Sequence, residues 1–416
     1  MMDDIKKASP LDLSFRAAVN EDMQTDYTLG PASRVNPYHV PVVRSPLTRA
    51  LPARFHDLRD EIVASFADLV PAKESEWVKV SMLSTVMEIV SRTSNRYFVG
   101  LPLCRNPDYV NLNIHFTIDA FAGANTLRRY PGFLKPIVRQ SLTKVSACMA
   151  RAEKHLGPLI RERLAKEDEY GTADWPDKPN DLITWLLEEA GGRHENLISD
   201  TVNRVSLINF AAIHTTSVTF TNSLYYLAAN PEIAAPLREE ALAATEEYGW
   251  TKAAMGKMVK LDSFLKETQR LSGGIGALTM SRLALRDFTF SDGTVVPAGT
   301  IVSVASHGLH HDEAHYEDPE SFKPFRFSDI RGQEGEALKH QMVAIDPSFA
   351  LFGNGGRHMC PGRFFAVNEI KALVAHVILS YDIKFENGKG VPLPNWNGVT
   401  FSPNRSAEVM FRKRGV

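Results

Sequence analysis

"FGNGGRHMCPG", residues 352–362, packs four glycines, one proline, two basic side chains and one cysteine into a short segment. A helical run follows at once, "RFFAVNEIKALVAHVILS" (363–380), with Ile370, Leu373, Val374, Val377 and Ile378 on one face. Gly355 and Gly356 open backbone angles closed to other residues, and Gly362 permits close approach of a large flat partner. Cys360 therefore stands just before a helix N-terminus, where free N–H groups face outward. That placement is expected to lower the thiol pKa and favour the thiolate. A lone buried cysteine is ordinarily just a small hydrophobe. The glycines before this one and Pro361-Gly362 after it mark it as presented.

The surrounding chain sets limits on what such a thiol does. The protein has 416 residues, 44% hydrophobic and 23% charged, which is ordinary globular composition with room for a large core. A net charge of −2 gives no global field for nucleic acid. Cys104, Cys148 and Cys360 lie far apart, so no disulfide framework and no zinc ribbon is expected, and a reducing, intracellular compartment is. The N-terminal residues carry no apolar signal region, and no run of eighteen apolar residues occurs to span a membrane.

Upstream, the first 240 residues read as mainly helical. Phe55, Leu58, Ile62, Phe66 and Leu69 share one face, and 82–93 and 109–121 repeat that pattern. Residues 173–181, "ADWPDKPND", read as a loop. A long pattern from Asp200 to Ala229 predicts a buried helix of roughly 45 Å. Asn230 is expected to cap the next helix, with Pro231 at its first position. After Ser272 the character changes. Phe288 and Phe290 alternate, Asp292-Gly293 signals a hairpin, 301–304 is β-branched, and the C-terminal residues read as a turn and a strand.

Three weaker patterns accompany the cysteine loop. Glu267 and Arg270 in "KETQR" sit at i, i+3 on a helix, a spacing that usually marks a surface ion pair. "DPESFKPFRF" (318–327) is a proline-punctuated loop containing Arg326. "AAIHTTS" (211–217) interrupts the long helix with poor helix formers, either as close packing or as a widened groove for a small ligand.

In this order and spacing, the four segments resemble the cytochrome P-450 superfamily of heme-thiolate monooxygenases, in its fungal secondary-metabolism branch. "SRTSNRYFVGLPLCRNPDY" (91–109) resembles the same group. The resemblance implies a mainly α fold with small β-sheets (α+β), a triangular helix-rich body around a buried heme b. It implies one domain over 1–416, α-rich over 50–272, with the β-structure and heme loop over 273–416. Cys360 becomes the axial ligand of the heme iron, a thiolate that favours O–O cleavage. Glu267, Arg270 and Arg326 become a buried network behind the heme. Thr215, with His214 before it, becomes the proton-handling pair. His358, Arg282 and Arg44 become partners of the heme propionates, and Ile208, Ala211, Ala212, Ala277, Leu278 and Val399 line the substrate pocket. The implied reaction oxidises a lipophilic small molecule, such as a terpenoid, with O2. Electrons come singly from NADPH-cytochrome P-450 reductase, docking near Cys360 with help from Arg363 or Lys371. Nucleic acid is not an expected partner; peripheral membrane contact is compatible with the family.

The pattern departs from the family in four places. Gly353 stands where the loop phenylalanine is usual, with Phe352 one residue further back. His214 replaces the acid before the helix threonine, and Phe325 the acid of P-E-R-F. The chain also begins after the family's membrane anchor, hinge and first strands. Two other readings are carried forward. One is a heme-thiolate isomerase, dehydratase or non-catalytic heme binder. The other is a zinc hydrolase on His311 and His315 in "HGLHHDEAH", although Asp312 rather than glutamate follows His311. His310 and Asp312 instead match a His-x-Asp of the P-450 family.

Overall fold

Apolar side chains three and four residues apart set most of this architecture. The computed structural model describes residues 1–192, 194–388 and 390–415. In the helix Pro46–Leu69, Phe55, Leu58, Ile62 and Phe66 are each at most 1% exposed. The helices Met82–Phe98 and Pro107–Leu127 cover the two other periodic stretches, and the long helix runs Leu197–Ala229. It stays α-helical through "AAIHTTS".

The chain forms two compact units. The first comprises Met1–Phe15, Phe55–Ile89 and Thr215–Val416. Its core helix, Arg363–Ser380, buries Ile370, Leu373, Val374, Val377 and Ile378 to 2% exposure or less. Two small antiparallel sheets flank such helices. In one, Leu13–Ser14 pairs with Thr279–Ala284, which pairs with Ile301–Val304. Leu13 opposite Ala284 packs with Ile5 and Phe290 into a small apolar cluster. In the other, Glu408–Lys413 lies between Val78–Ser81 and Tyr381–Lys384. The Asp292-Gly293 signal is a hairpin, with Phe288 opposite Val296.

The second unit comprises Arg16–Arg54 and Val90–His214. Asn106 caps Pro107–Leu127 by accepting from the N–H groups of Asp108 and Tyr109. Asp181 caps Leu182–Glu189 and is ion-paired to the buried Arg163. Arg204, 1% exposed, pairs with Asp200 at 2.8 Å and lies over the Tyr38 ring.

One capping expectation fails. Asn230 gives no side-chain cap to the turn Pro231–Ile233. Its Nδ2 donates instead to the Tyr226 carbonyl at 2.8 Å, closing the helix behind it.

Candidate functional site

Glu267 and Arg270 lie on the helix Val259–Ser272, whose apolar face is wholly buried. Both side chains are 0% exposed, so they are not a surface pair. Arg270 donates Nε and Nη2 to the Glu267 carboxylate at 2.8 and 2.9 Å. Its Nη1 donates to the carbonyls of His310 and Pro319 at 2.6 and 2.7 Å. Arg326, at the start of the helix Arg326–Arg331, donates Nε to both Glu267 oxygens at 3.1 Å. The Lys323 N–H donates to Glu267 as well. One carboxylate thus ties a helix to the 317–326 loop through two guanidiniums and a backbone amide. Burial of charge on this scale is tolerated because nearly every donor has an acceptor.

The cysteine loop is built differently. Gly353, Gly355 and Gly356 hold φ of +86°, +77° and +75°, left-handed values that glycine adopts without strain. The loop closes where the Cys360 N–H donates to the Phe352 carbonyl at 2.9 Å, so Phe352, one residue further back than the family pattern has it, still meets Cys360 through its backbone. The backbone N–H groups of Gly362 and Arg363 point at the Cys360 sulfur, and the Arg363 guanidinium adds positive charge. The expected lowering of the thiol pKa does not follow. Burial pushes it up, and the two amides and Arg363 offset only part of that. A free thiol in this position keeps its proton, and a cation at the sulfur is needed to stabilise the thiolate.

Beside the loop, Arg282 in Thr279–Ala284 is 5% exposed, and burial lowers its pKa. Its Nη1 donates to the Ser281 carbonyl at 2.9 Å, and no carboxylate among the described residues pairs with it. Phe15, which the sequence reading missed, joins it to the loop. The Phe15 ring lies 5.3 Å from the Arg282 guanidinium carbon and 5.1 Å from the His358 ring. No motif marks Phe15. It arrives because Leu13–Ser14 pairs with the strand carrying Arg282. Lys6 lies alongside Gly355 and Gly356. Arg44, by contrast, is exposed at the end of the helix His39–Arg44 in the other unit.

On the long helix, Thr215 and Ala211 are exposed amid buried neighbours, Ala212 is half-buried and Ile208 is buried. The Thr215 carbonyl accepts from Thr219 Oγ1 at 3.2 Å, and Thr219 accepts from Gln269 Nε2 at 3.0 Å. This ladder links Thr215 to the helix carrying Glu267 and Arg270. His214 Nε2 donates to the Ile114 carbonyl at 2.8 Å, and burial lowers its pKa. Leu278 and Val399 are 43% and 55% exposed, and Ala277 is half-buried.

The decisive comparison is with known families. A family model, cytochrome P-450, matches residues 42–409. This chain belongs to the cytochrome P-450 family. It is 44% identical over 416 residues to cytochrome P-450 monooxygenase 151 of Postia placenta, covering 100% of this chain and 83% of that protein. It is 46% identical over 416 residues to monooxygenase 71 of the same fungus, covering 100% of this chain and 82% of the relative. A relative in Ganoderma lucidum, cytochrome P-450 monooxygenase CYP512U6, is 33% identical over 416 residues, with 100% and 81% covered. P-450 proteins are heme-thiolate oxidoreductases that use O2, a redox partner and generally lipophilic substrates.

The residues present suit a P-450 heme. Cys360 offers a sulfur already faced by two amides. Arg282 is a buried cation with no carboxylate partner among the described residues, which suits an anionic propionate. The zinc reading finds no support in the geometry. Among the described residues no three His, Cys, Asp or Glu side chains converge as metal ligands, and His311 Nδ1 is hydrogen-bonded to the His307 carbonyl. Lys371 also leaves the set of docking cations, because it is 4% exposed and paired with Asp262 at 3.3 Å. Among the described residues no helix is long and apolar enough to cross a membrane.

Proposed function

We propose that this P-450 hydroxylates, or otherwise oxidises, a terpenoid or related secondary metabolite, with electrons from an NADPH-dependent reductase. The observation that carries the reading is Cys360, held by a glycine-rich turn against two helix-terminal N–H groups. When bound, heme supplies O2 activation at its thiolate-ligated iron. The chain's own residues do the rest. Cys360 would supply the thiolate, and Arg282 and His358 would hold the propionates. Glu267, Arg270 and Arg326 fix the 317–326 loop against the helix Val259–Ser272. Thr215 would hold or move a proton at its hydroxyl, its backbone fixed through Thr219 and Gln269. His214 is spent on Ile114 and serves to position the helix rather than relay protons. Ile208, Ala211, Ala212, Ala277, Leu278 and Val399 contribute apolar contacts to the substrate, and Arg363 contributes to reductase docking. Peripheral membrane contact is supported by Phe133, Ile137 and Leu142, which are 79%, 64% and 57% exposed. All of chain 1–416 serves one catalytic domain.

The ferrous–CO difference spectrum tests this reading. The purified protein should give the red-shifted thiolate Soret band, and Cys360→Ala should lose it. Stoichiometric zinc without heme would sink the proposal. NADPH- and reductase-dependent turnover separates a monooxygenase from a heme-thiolate isomerase or dehydratase. Thr215→Ala should raise NADPH consumed per product formed; unchanged coupling removes Thr215 from the proton path.

A further inference from the structure

A cleft of about 350 Å³ opens in the first unit at the C-terminal end of the helix Arg363–Ser380. Cys360 precedes the other end of that helix, whose 18 residues span roughly 27 Å at 1.5 Å each. The cleft is therefore not part of the heme site. Its size is at the small end for ligand pockets.

Two features give it a chemical preference. The walls are apolar: Leu227, Ala234, Ala235, Ile378 and the indole of Trp77 line it. The lining balances Arg238 and Lys384 against Asp382 and Glu232, and Arg412 and Arg414 beside it add a surplus of positive charge. Asp382 alone serves three guanidiniums, accepting from Arg238 and Arg412 at 3.2 Å each and from Arg414 at 2.7 Å. Lys384 and Arg412 both lie over the Trp77 ring, at 4.4 and 4.7 Å. Glu232 is the other acid lining the cleft. Arg238 and Lys384 line the cleft with these two carboxylates, and Arg412 and Arg414 adjoin it through Asp382, so four cations gather about two carboxylates beside an aromatic and aliphatic floor. Arg412 and Arg414 keep 41% and 33% of their side chains exposed, so both side chains remain accessible beside the cleft.

The geometry points to a second ligand site here, for a small amphipathic carboxylate. Its apolar body lies against Trp77, Leu227 and the alanines. Its carboxylate takes charge-assisted hydrogen bonds from Arg412 and Arg414. A neutral molecule of the same shape leaves the cationic surplus uncompensated, and a cation adds to it. The site needs no heme chemistry and stands apart from the oxidation reaction.

The test titrates the holoenzyme with sodium decanoate, following tryptophan fluorescence and the Soret band together. A saturable change that disappears in Trp77→Phe places binding in the cleft. The double variant Arg412→Gln/Arg414→Gln should weaken that response at least tenfold while leaving any Soret response intact. Glu232→Gln, which removes an exposed lining acid, should tighten it a few-fold. Decanol and decyltrimethylammonium should bind at least tenfold more weakly than decanoate. Equal binding of the three probes, unchanged affinity in the double variant, or a fluorescence response surviving Trp77→Phe overturns the proposal. Arginine-dependent binding to phosphatidylserine vesicles with no decanoate response also overturns it, reassigning the cations to a lipid surface.

Discussion

The Glu267–Arg270–Arg326 network and the cysteine loop lie in the same unit, yet they solve opposite problems. In the network, a carboxylate and a guanidinium at 0% exposure are completed by the chain itself. Around Cys360 the chain stops short. The sulfur keeps its proton, and Arg282, joined to the loop through Phe15, has no carboxylate partner among the described residues. A buried ion network satisfied by protein is a folding element; a cluster left unsatisfied is shaped for something else to finish it. Substitutions in the two regions should therefore fail in different ways.

The largest effect belongs to the network. Glu267→Ala strands the guanidiniums of Arg270 and Arg326 and takes an acceptor from the Lys323 amide. Breaking a buried pair in this way costs about 3–5 kcal/mol. The variant should give little soluble protein and a much lower urea midpoint, with or without heme. Cys360→Ala should leave the midpoint of the heme-free protein nearly unchanged while removing the thiolate spectrum. If the two variants lose stability equally, the contrast between the regions is wrong.

Acid gives a more graded test of the same contrast. His310, whose carbonyl accepts from Arg270, is buried against Phe349, and burial pushes its pKa down to about 3. His376 is held down to about 3 by burial first and then by the nearby Arg59. An unfolded histidine titrates near 6.5. Both native pKa values lie below that, so between about 6.5 and about 3 the unfolded chain binds protons that the native chain refuses. This contribution to stability is complete above the unfolded pKa and is lost as pH falls towards the folded one. The two sites together supply a slope of up to about 2.7 kcal/mol per pH unit. Urea midpoints from pH 7 to 4 should fall steeply, and less so in His310→Gln/His376→Gln. An unchanged slope in that variant would mean the histidines are protonated in the native state.

What the sequence made legible follows the same divide. Cys360, its helix, and the Glu267–Arg270 spacing are local patterns, and local patterns are readable because backbone geometry fixes their consequences. The partners of Arg270 are mostly backbone carbonyls, at His310, Pro319 and Ser321, which no side-chain motif announces. The thiol pKa was misjudged because the helix end is a local signal, whereas burial is set by the whole fold. Lys371 looked like a surface cation on a helix, but its partner Asp262 lies 109 residues away. His214 stood in the proton-handling pair by its place before Thr215, and its bond to the Ile114 carbonyl, 100 residues away, is not written in the local sequence. Phe15 was invisible for the same reason, since strand register rather than composition carries it to Arg282 and His358.

That makes Phe15 the finest probe of the comparison. It lies against Arg282, which has no carboxylate partner among the described residues, and it contributes orientation rather than charge. Its ring is 37% exposed, so truncation opens no large cavity and should not move the urea midpoint much. A cation over an aromatic face gains about 0.5–2 kcal/mol, which converts to a few-fold to roughly thirtyfold in an equilibrium constant. Phe15→Ala should therefore release heme faster by up to about that factor, measured as transfer to excess apoglobin. The thiolate CO band and far-UV circular dichroism should stay as in the wild type, because Cys360 and the fold are untouched. Phe15→Tyr should restore slow release, since the ring face is what Arg282 and His358 meet. If Phe15→Ala releases heme at the wild-type rate, the ring is only a packing residue. If it instead loses stability as Glu267→Ala does, the loop region is finished by the chain after all.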